Sequence, residues 1–241
     1  MRLLVVTAVP VEADAVLRGV PGAEEDAAPV EVPLPGGRTL RRRWPVDVLA
    51  AGVGPAAAAA ATATALAVGG DGYALAVSSG IAGGFAPRAA MGAAVVADGI
   101  VAADLGAEAP EAPGGFADVA ALGFGRIRHE TAHVALITGA LRAAGLPVSA
   151  GPVLTVSTTT GTAARAAELT GRHPEAVAEA MEGFGVAEAA APFGIPVQEL
   201  RTVSNAVGPR DRSSWVIGDA LAALERVYAA LPYPALLHPK A

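Results

Sequence analysis

The sequence predicts a three-layer α/β fold, with helices on both faces of a mostly parallel or mixed central sheet, from three observations. Strand-like and helix-like segments alternate along nearly all of the 241 residues. Runs such as Val46 to Ala51 and Tyr73 to Ser78 are continuously apolar, as in strands buried on both faces. The glycine-rich Ser79-Gly80-Ile81-Ala82-Gly83-Gly84 follows the second run at its carboxyl end, the edge where ligands of α/β sheets bind.

Taken in order, a first strand over residues 2–9 meets Pro10, which suits the first position of a helix because its missing N–H needs no partner there. That helix runs to Leu17 or Arg18 and closes at Gly19. Segments 30–34 and 37–43, with Pro35-Gly36-Gly37 between them, predict a hairpin. After the strand 46–51, Gly52-Val53-Gly54-Pro55 opens an alanine-rich helix over 56–68. Strand 73–78 and its glycine turn follow, then strand 93–102. The Pro/Gly/Ala/Glu segment 106–118 is expected to be a long mobile loop, a lid or an oligomer contact. Helix 131–144, strand 148–157, helix 183–191, strand 197–204 and helix 216–230 complete the pattern, with an extended Pro-rich tail over 232–241. No internal repeat or boundary divides residues 1–241, so one domain is expected.

With 53% hydrophobic and 17% charged residues, the chain can bury a core. Gly, Pro or a charge interrupts every long apolar stretch, so no membrane span is expected. Leu3 to Ala8 is too short and poorly flanked for a signal peptide. Zero cysteines exclude disulfides, thiolate metal sites and a cysteine nucleophile, and they fit a reducing, cytoplasmic setting. A net charge of −6 gives no attraction to nucleic acid, and Arg41-Arg42-Arg43 is expected to be a solvated strand end. His129 and His133 have i,i+4 spacing but no adjacent glutamate of a zinc-peptidase helix, which points to structural roles.

Three side chains fall where strand ends could aim them into one cleft: Glu12, Glu182 and Asn205. Glu12 alone could be a solvated partner of its helix dipole. Glu182 interrupts an apolar, glycine-rich neighbourhood with no nearby cation in sequence, so it must reach solvent or accept hydrogen bonds from something bound; sugar hydroxyls are suitable donors. Asn205 could alternatively brace the turn that follows it.

Thr7-Ala8-Val9-Pro10-Val11-Glu12, Ser79 to Gly84, Met181-Glu182 and Arg201-Thr202-Val203-Ser204-Asn205 stand in the order and spacing of the purine nucleoside phosphorylase and nucleosidase family, which the chain resembles over nearly its whole length. Val156 to Thr162, Met181 to Ala187 and Ser204 to Arg212 resemble most the branch of that family that hydrolyses futalosine. The resemblance implies the family's mixed-sheet fold, with Glu12 activating water, Glu182 holding the ribose hydroxyls and Met181 packing on the sugar. It implies that Ile81, Ala82 and Gly83 line sugar and base, that Thr162 offers backbone groups to the purine edge, and that Arg201 and Ser204 join the substrate-binding set. Gly161 stands where the methylthioadenosine-cleaving branch often has a stacking aromatic. No metal or organic cofactor is implied, and a homodimer or higher homo-oligomer is.

Asn205 departs from the aspartate that adenine-cleaving members carry. An adenine protonated at N7 shows two donors, which a carboxylate matches; a 6-oxopurine protonated at N7 shows one donor and the O6 acceptor, which a carboxamide matches. Catalysis follows the transition state, so Asn205 favours hypoxanthine or guanine, and with it futalosine, whose base is hypoxanthine. A carboxylate in the first loop would repel phosphate, which favours water as nucleophile; Arg88 keeps phosphorolysis open. Arg126, Arg128 and His129 are candidates for the carboxyphenyl end of futalosine, although solvated loop charges are commoner. The expected reaction is hydrolysis of futalosine to hypoxanthine and a base-free sugar for menaquinone biosynthesis. The rivals are a methylthioadenosine/S-adenosylhomocysteine nucleosidase, a purine nucleoside phosphorylase and a non-catalytic nucleoside-binding module.

Overall fold

The computed structural model describes residues 1–22 and 28–238. Its elements are β1 (Arg2–Thr7), α1 (Pro10–Gly19), β2 (Val30–Leu34), β3 (Arg38–Arg43), β4 (Val46–Ala50), α2 (Pro55–Gly69), β5 (Tyr73–Gly84), β6 (Ala94–Ala102), β7 (Gly106–Glu108), β8 (Phe116–Asp118), β9 (Arg128–Glu130), α3 (Val134–Ala143), β10 (Val148–Thr155), α4 (Ala163–Arg172), β11 (Ala178–Ala180), α5 (Gly183–Ala190), β12 (Val197–Ala206), α6 (Ile217–Ala229) and α7 (Tyr233–Leu237). Ten strands form one mixed sheet in the order β11-β10-β6-β12-β5-β1-β4-β3-β2, with β9 alongside β6.

Side-chain alternation along β1 builds the layers. Leu4 and Val6 pack with Ala58, Ala61 and Leu66 of α2 and Val186 of α5, while Leu3 and Val5 pack with Val16 of α1 and Leu224 and Tyr228 of α6. Each face of the strand therefore feeds a separate core, and that is why the run is apolar throughout. The alanine-rich α2 presents Ala58, Ala61 and Ala65 as a buried face, and α5 comes close enough that a Cβ on Gly185 would lie 2.1 Å from the Pro55 carbonyl oxygen.

The glycine-rich segment expected to leave the strand continues it instead, since β5 runs unbroken to Gly84. β12 pairs the segment along its length and β11 pairs Gly83 and Gly84 on the other side, and backbone pairing needs no side chains. β11 also lies parallel to β10, so β5, β12, β6, β10 and β11 close into a ring. Register shifts at Gly151/Pro152 and Val203/Asn205 supply the local bending that closure requires.

Two further expectations need correction. The expected loop 106–118 contains a hairpin of β7 and β8, with the Arg172 guanidinium 4.4 Å over the Phe116 ring. The tail expected to be extended is helical over Tyr233–Leu237, because Tyr233, Leu236 and Leu237 fit the α1/α6 core; residues 239–241 of that tail lie outside the described residues. The sequence reading also missed α4, which is mostly exposed, and β9 and β11, which are three residues each.

The basic run is paired rather than merely solvated. Arg41 meets Asp14 at 2.6 Å, Arg43 donates to the Leu17 carbonyl at 2.9 Å, and Arg42 grips the fully buried Asp47 at 2.9 and 3.0 Å. Asp47 also accepts from Arg2 and from the Tyr73 hydroxyl. Asp47→Ala is expected to lower stability by about 1–3 kcal/mol by orphaning the buried Tyr73 hydroxyl, without changing the activity of the folded fraction. A urea midpoint and a specific-activity measurement check both halves.

Candidate active site

Glu12 is the third residue of α1, and Pro10 at the helix start fixes the turn that folds its side chain back. Its Oε2 accepts from the Ala8 and Val9 N–H groups at 3.0 and 3.2 Å, and its Oε1 accepts from the Ile81 N–H at 2.9 Å. Only 4% of the residue is exposed. Burial raises its pKa above the ordinary 4.5, against the opposing pull of Arg201 and of the backbone donors. Gly80 makes this possible, because a Cβ there would lie 2.4 Å from Glu12 Oε1, and its φ of +147° also suits glycine.

Glu182 ends the short connection from β11 and immediately precedes α5. Its Oε1 accepts from the Gly54 N–H at 3.1 Å, and its Oε2 accepts from Arg201 Nη2 at 3.1 Å. The sequence reading, seeing no cation nearby, missed this partner, which comes from β12 in the sheet. Arg201 also donates to Glu199 Oε1 and to the Ser78 hydroxyl, each at 2.9 Å, and is 1% exposed. Burial pushes the Glu199 carboxyl up in pKa while Arg201 draws it down. Arg201 thus has its Nε and Nη2 held by internal partners, while its Nη1 lies on the Gly80 side, 2.9 Å from where a Cβ on Gly80 would stand.

A cavity of about 300 Å³ opens above this layer, lined by Glu12, Ile81, Ala82, Gly83, Met181, Glu182, Ser204 and Asn205 among others. Asn205 accepts from the Ser204 hydroxyl at 2.9 Å and donates to the Ala206 carbonyl at 3.0 Å, which leaves one N–H and one oxygen lone pair to offer a ligand. Thr162 is absent from this wall. It caps α4, its hydroxyl accepting from the Arg165 N–H at 3.1 Å, and the residues that face the cavity from this segment are Thr159 and Thr160.

The cavity also holds groups the sequence reading did not assign to the site: Glu179, Val53, Arg210 and Trp215. The Arg210 guanidinium lies 5.2 Å from the Trp215 ring and its Nη1 donates to the Thr159 hydroxyl at 3.2 Å. Trp215 brings an aromatic ring to a wall where Gly161 had suggested none. One of the two tryptophans, placed shortly after the Ser204–Arg212 run, was the available signal. Arg88, Arg128 and Arg142 line a separate surface depression. Arg126 lies 4.0 Å from Glu188, and the buried His129 has its Nε2 2.7 Å from the same carboxylate.

A general base candidate, a second carboxylate and a carboxamide thus share one cavity at the carboxyl ends of β1, β5, β11 and β12. Residues 2–231 match the model of the Phosphorylase superfamily. A futalosine hydrolase of Streptomyces coelicolor is 58% identical over 230 residues, covering 93% of this chain and 92% of that protein. The chain belongs to the futalosine hydrolase family. A second relative in that family, from Acidothermus cellulolyticus, is 47% identical over 96% of this chain and 90% of its own. The fold matches a solved futalosine hydrolase mutant of Helicobacter pylori with a TM-score of 0.80 at 19% identity, covering 95% of this chain and 97% of that one. It also matches a 5′-methylthioadenosine/S-adenosylhomocysteine nucleosidase of Neisseria meningitidis bound to methylthio-immucillin-A, with a TM-score of 0.77 at 18% identity over 95% and 97%.

In this futalosine hydrolase family member, Arg201 sits within hydrogen-bonding distance of two carboxylates and within electrostatic reach of Glu12. Arg201→Met leaves Glu182 and Glu199 buried without a counter-charge and is expected to cost about 3–5 kcal/mol of stability. Chemical denaturation followed by intrinsic fluorescence measures it.

Proposed function

We propose that the protein hydrolyses the N-glycosidic bond of futalosine, releasing hypoxanthine and the base-free sugar derivative. The observation that carries this reading is the meeting of Glu12, Glu182 and Asn205 around one cavity in a chain 58% identical to a curated futalosine hydrolase. Glu12, held by three backbone donors yet raised in pKa, accepts a proton from the attacking water. Glu182, fixed from below by Arg201 and Gly54, receives the ribose hydroxyls, with Met181 against the sugar and Ile81, Ala82 and Gly83 beneath sugar and base.

The transition state has oxocarbenium character, and two carboxylates on the sugar side favour positive charge there. Negative charge developing on the purine is relieved at N7 and O6, where the Asn205 carboxamide offers both an acceptor and a donor, with Ser204 setting its orientation. Water is favoured over phosphate because the cavity presents the Glu12 carboxylate at the attack side and the nearest buried cation, Arg201, is already paired. The released sugar derivative enters menaquinone biosynthesis in the cytoplasm, residues 1–241 act as one nucleosidase domain, and the protein works as a homo-oligomer.

Incubation with futalosine, aminofutalosine, methylthioadenosine and inosine, with and without phosphate, tests the reading. Phosphate-independent release of hypoxanthine from futalosine is expected. Phosphate-dependent release points to a phosphorylase, adenine release alone refutes the role given to Asn205, and binding without turnover favours a nucleoside-binding module. Glu12→Gln is expected to lower kcat roughly 10²–10⁴-fold with little change in KM, the usual worth of a general base. Because Glu12 must be ionised and its pKa is raised, kcat/KM is expected to fall with decreasing pH through a midpoint above 4.5. A pH–rate profile locates that limb, and a midpoint at or below 4.5 would count against the assignment.

A further inference from the structure

The cavity wall is acidic except at one place. Glu12, Glu179 and Glu182 line it, and among the described residues Arg210 is its single cationic side chain. Arg210 stands on the loop between β12 and α6, whose ends are tied by the Val216 N–H bonded to the Ser204 carbonyl at 2.9 Å. The neighbouring carboxylate, Asp211, is turned to its own loop, where it accepts from the Ser213 N–H at 3.0 Å. Arg210 spends one N–H on the Thr159 hydroxyl, sets its guanidinium 5.2 Å from the Trp215 ring and forms no ion pair among the described residues. The rest of its donor fork is open to a ligand.

Exposure places this group at the mouth. Most of the lining is buried or half-buried, Trp215 included, whereas Val53, Thr159 and Arg210 are exposed, and of these three only Arg210 is charged. A cavity of about 300 Å³ is at the small end of ligand pockets, with room for a base and its sugar. A long substituent on the 5′ carbon therefore has to pass the mouth. A guanidinium beside an indole ring matches an arene that bears a carboxylate, ring against ring and planar fork against two oxygens.

We propose that Arg210 and Trp215 form the subsite for the carboxyphenyl end of futalosine, the Arg210 guanidinium pairing with the carboxylate and the Trp215 ring packing on the phenyl group. The inference rests on the reading of the substrate as futalosine and names the residues that meet its distal end. Arg126, Arg128 and His129, the earlier candidates, are engaged with Glu188 and Glu130 instead. Charge makes such a partner necessary: an anionic substrate entering among three carboxylates is repelled, and its own carboxylate loses water on binding, unless a cation meets it. A nucleoside with a neutral 5′ substituent gains nothing from Arg210, so the subsite selects for the acid.

The test compares wild type with Arg210→Gln on futalosine and on its methyl ester, which keeps base, sugar and ring but lacks the negative charge. Wild-type kcat/KM is expected to be roughly 10- to 100-fold higher on the acid than on the ester, mainly through KM, the worth of a hydrogen bond to a charged group. Arg210→Gln is expected to lose about that factor on futalosine and to change little on the ester, and Arg210→Lys, which keeps the charge without the fork, to recover part of the loss. Trp215→Ala is expected to raise KM for acid and ester alike. Equal losses of Arg210→Gln on the two substrates would overturn the carboxylate pairing, as would equal wild-type rates on acid and ester, and an unchanged KM in Trp215→Ala would overturn the ring contact. Failure of the wild type to release hypoxanthine from futalosine would instead sink the substrate reading, a result distinct from an unshifted acid-to-ester ratio in a working enzyme.

Discussion

The site depends on one buried guanidinium. Arg201, from the middle of β12, bonds Glu199, Ser78 and Glu182 and acts electrostatically on Glu12. A carboxylate taken out of water costs several kcal/mol unless it is paired or hydrogen-bonded. Here one cation, with backbone N–H groups from Ala8, Val9, Gly54 and Ile81, meets that cost for two site carboxylates. Their orientation follows from the same bonds. The planar fork of arginine suits this place beneath the sheet edge, and a point-like ammonium would not reach several partners with the same geometry.

The negative charge left over after Arg201 is counted bears on the chemistry. Glu12 and Glu182, when ionised, outnumber the single cation even with burial holding Glu199 towards its neutral form, so the cavity beside them has a field that favours a positive centre. Preorganised charge of this kind needs no rearrangement as the bond breaks. The backbone bonds that steady Glu12 also keep it from swinging towards Arg201 and losing its basicity in a direct ion pair.

Much of this was legible in the sequence because the signals were local. Alternating apolar runs gave the layers, Pro10 and Gly19 framed α1, and the motifs around Glu12, Glu182 and Asn205 marked three walls of one cavity. What escaped was set by pairing between distant segments. Gly80 to Gly84 has a turn composition yet remains strand because β12 pairs all of it, while β11 pairs Gly83 and Gly84 and Glu12 takes the Ile81 N–H on the other side. Glu182 seemed to lack a cation because its partner lies 19 residues on, across the sheet. Thr162 belongs to a helix cap, a role its spacing to the cavity motifs did not disclose, and Glu179 gained its position only when β11 closed onto β5.

That closure has a geometric consequence. The four consecutive residues from Glu179 to Glu182 all border the cavity, with Glu179 in a strand of three residues and Glu182 at the threshold of α5. Chain length alone thus sets the spacing between the Glu179 and Glu182 carboxylates. Inserting or deleting one residue there would break the measure at both ends at once, whereas side-chain exchanges leave it intact.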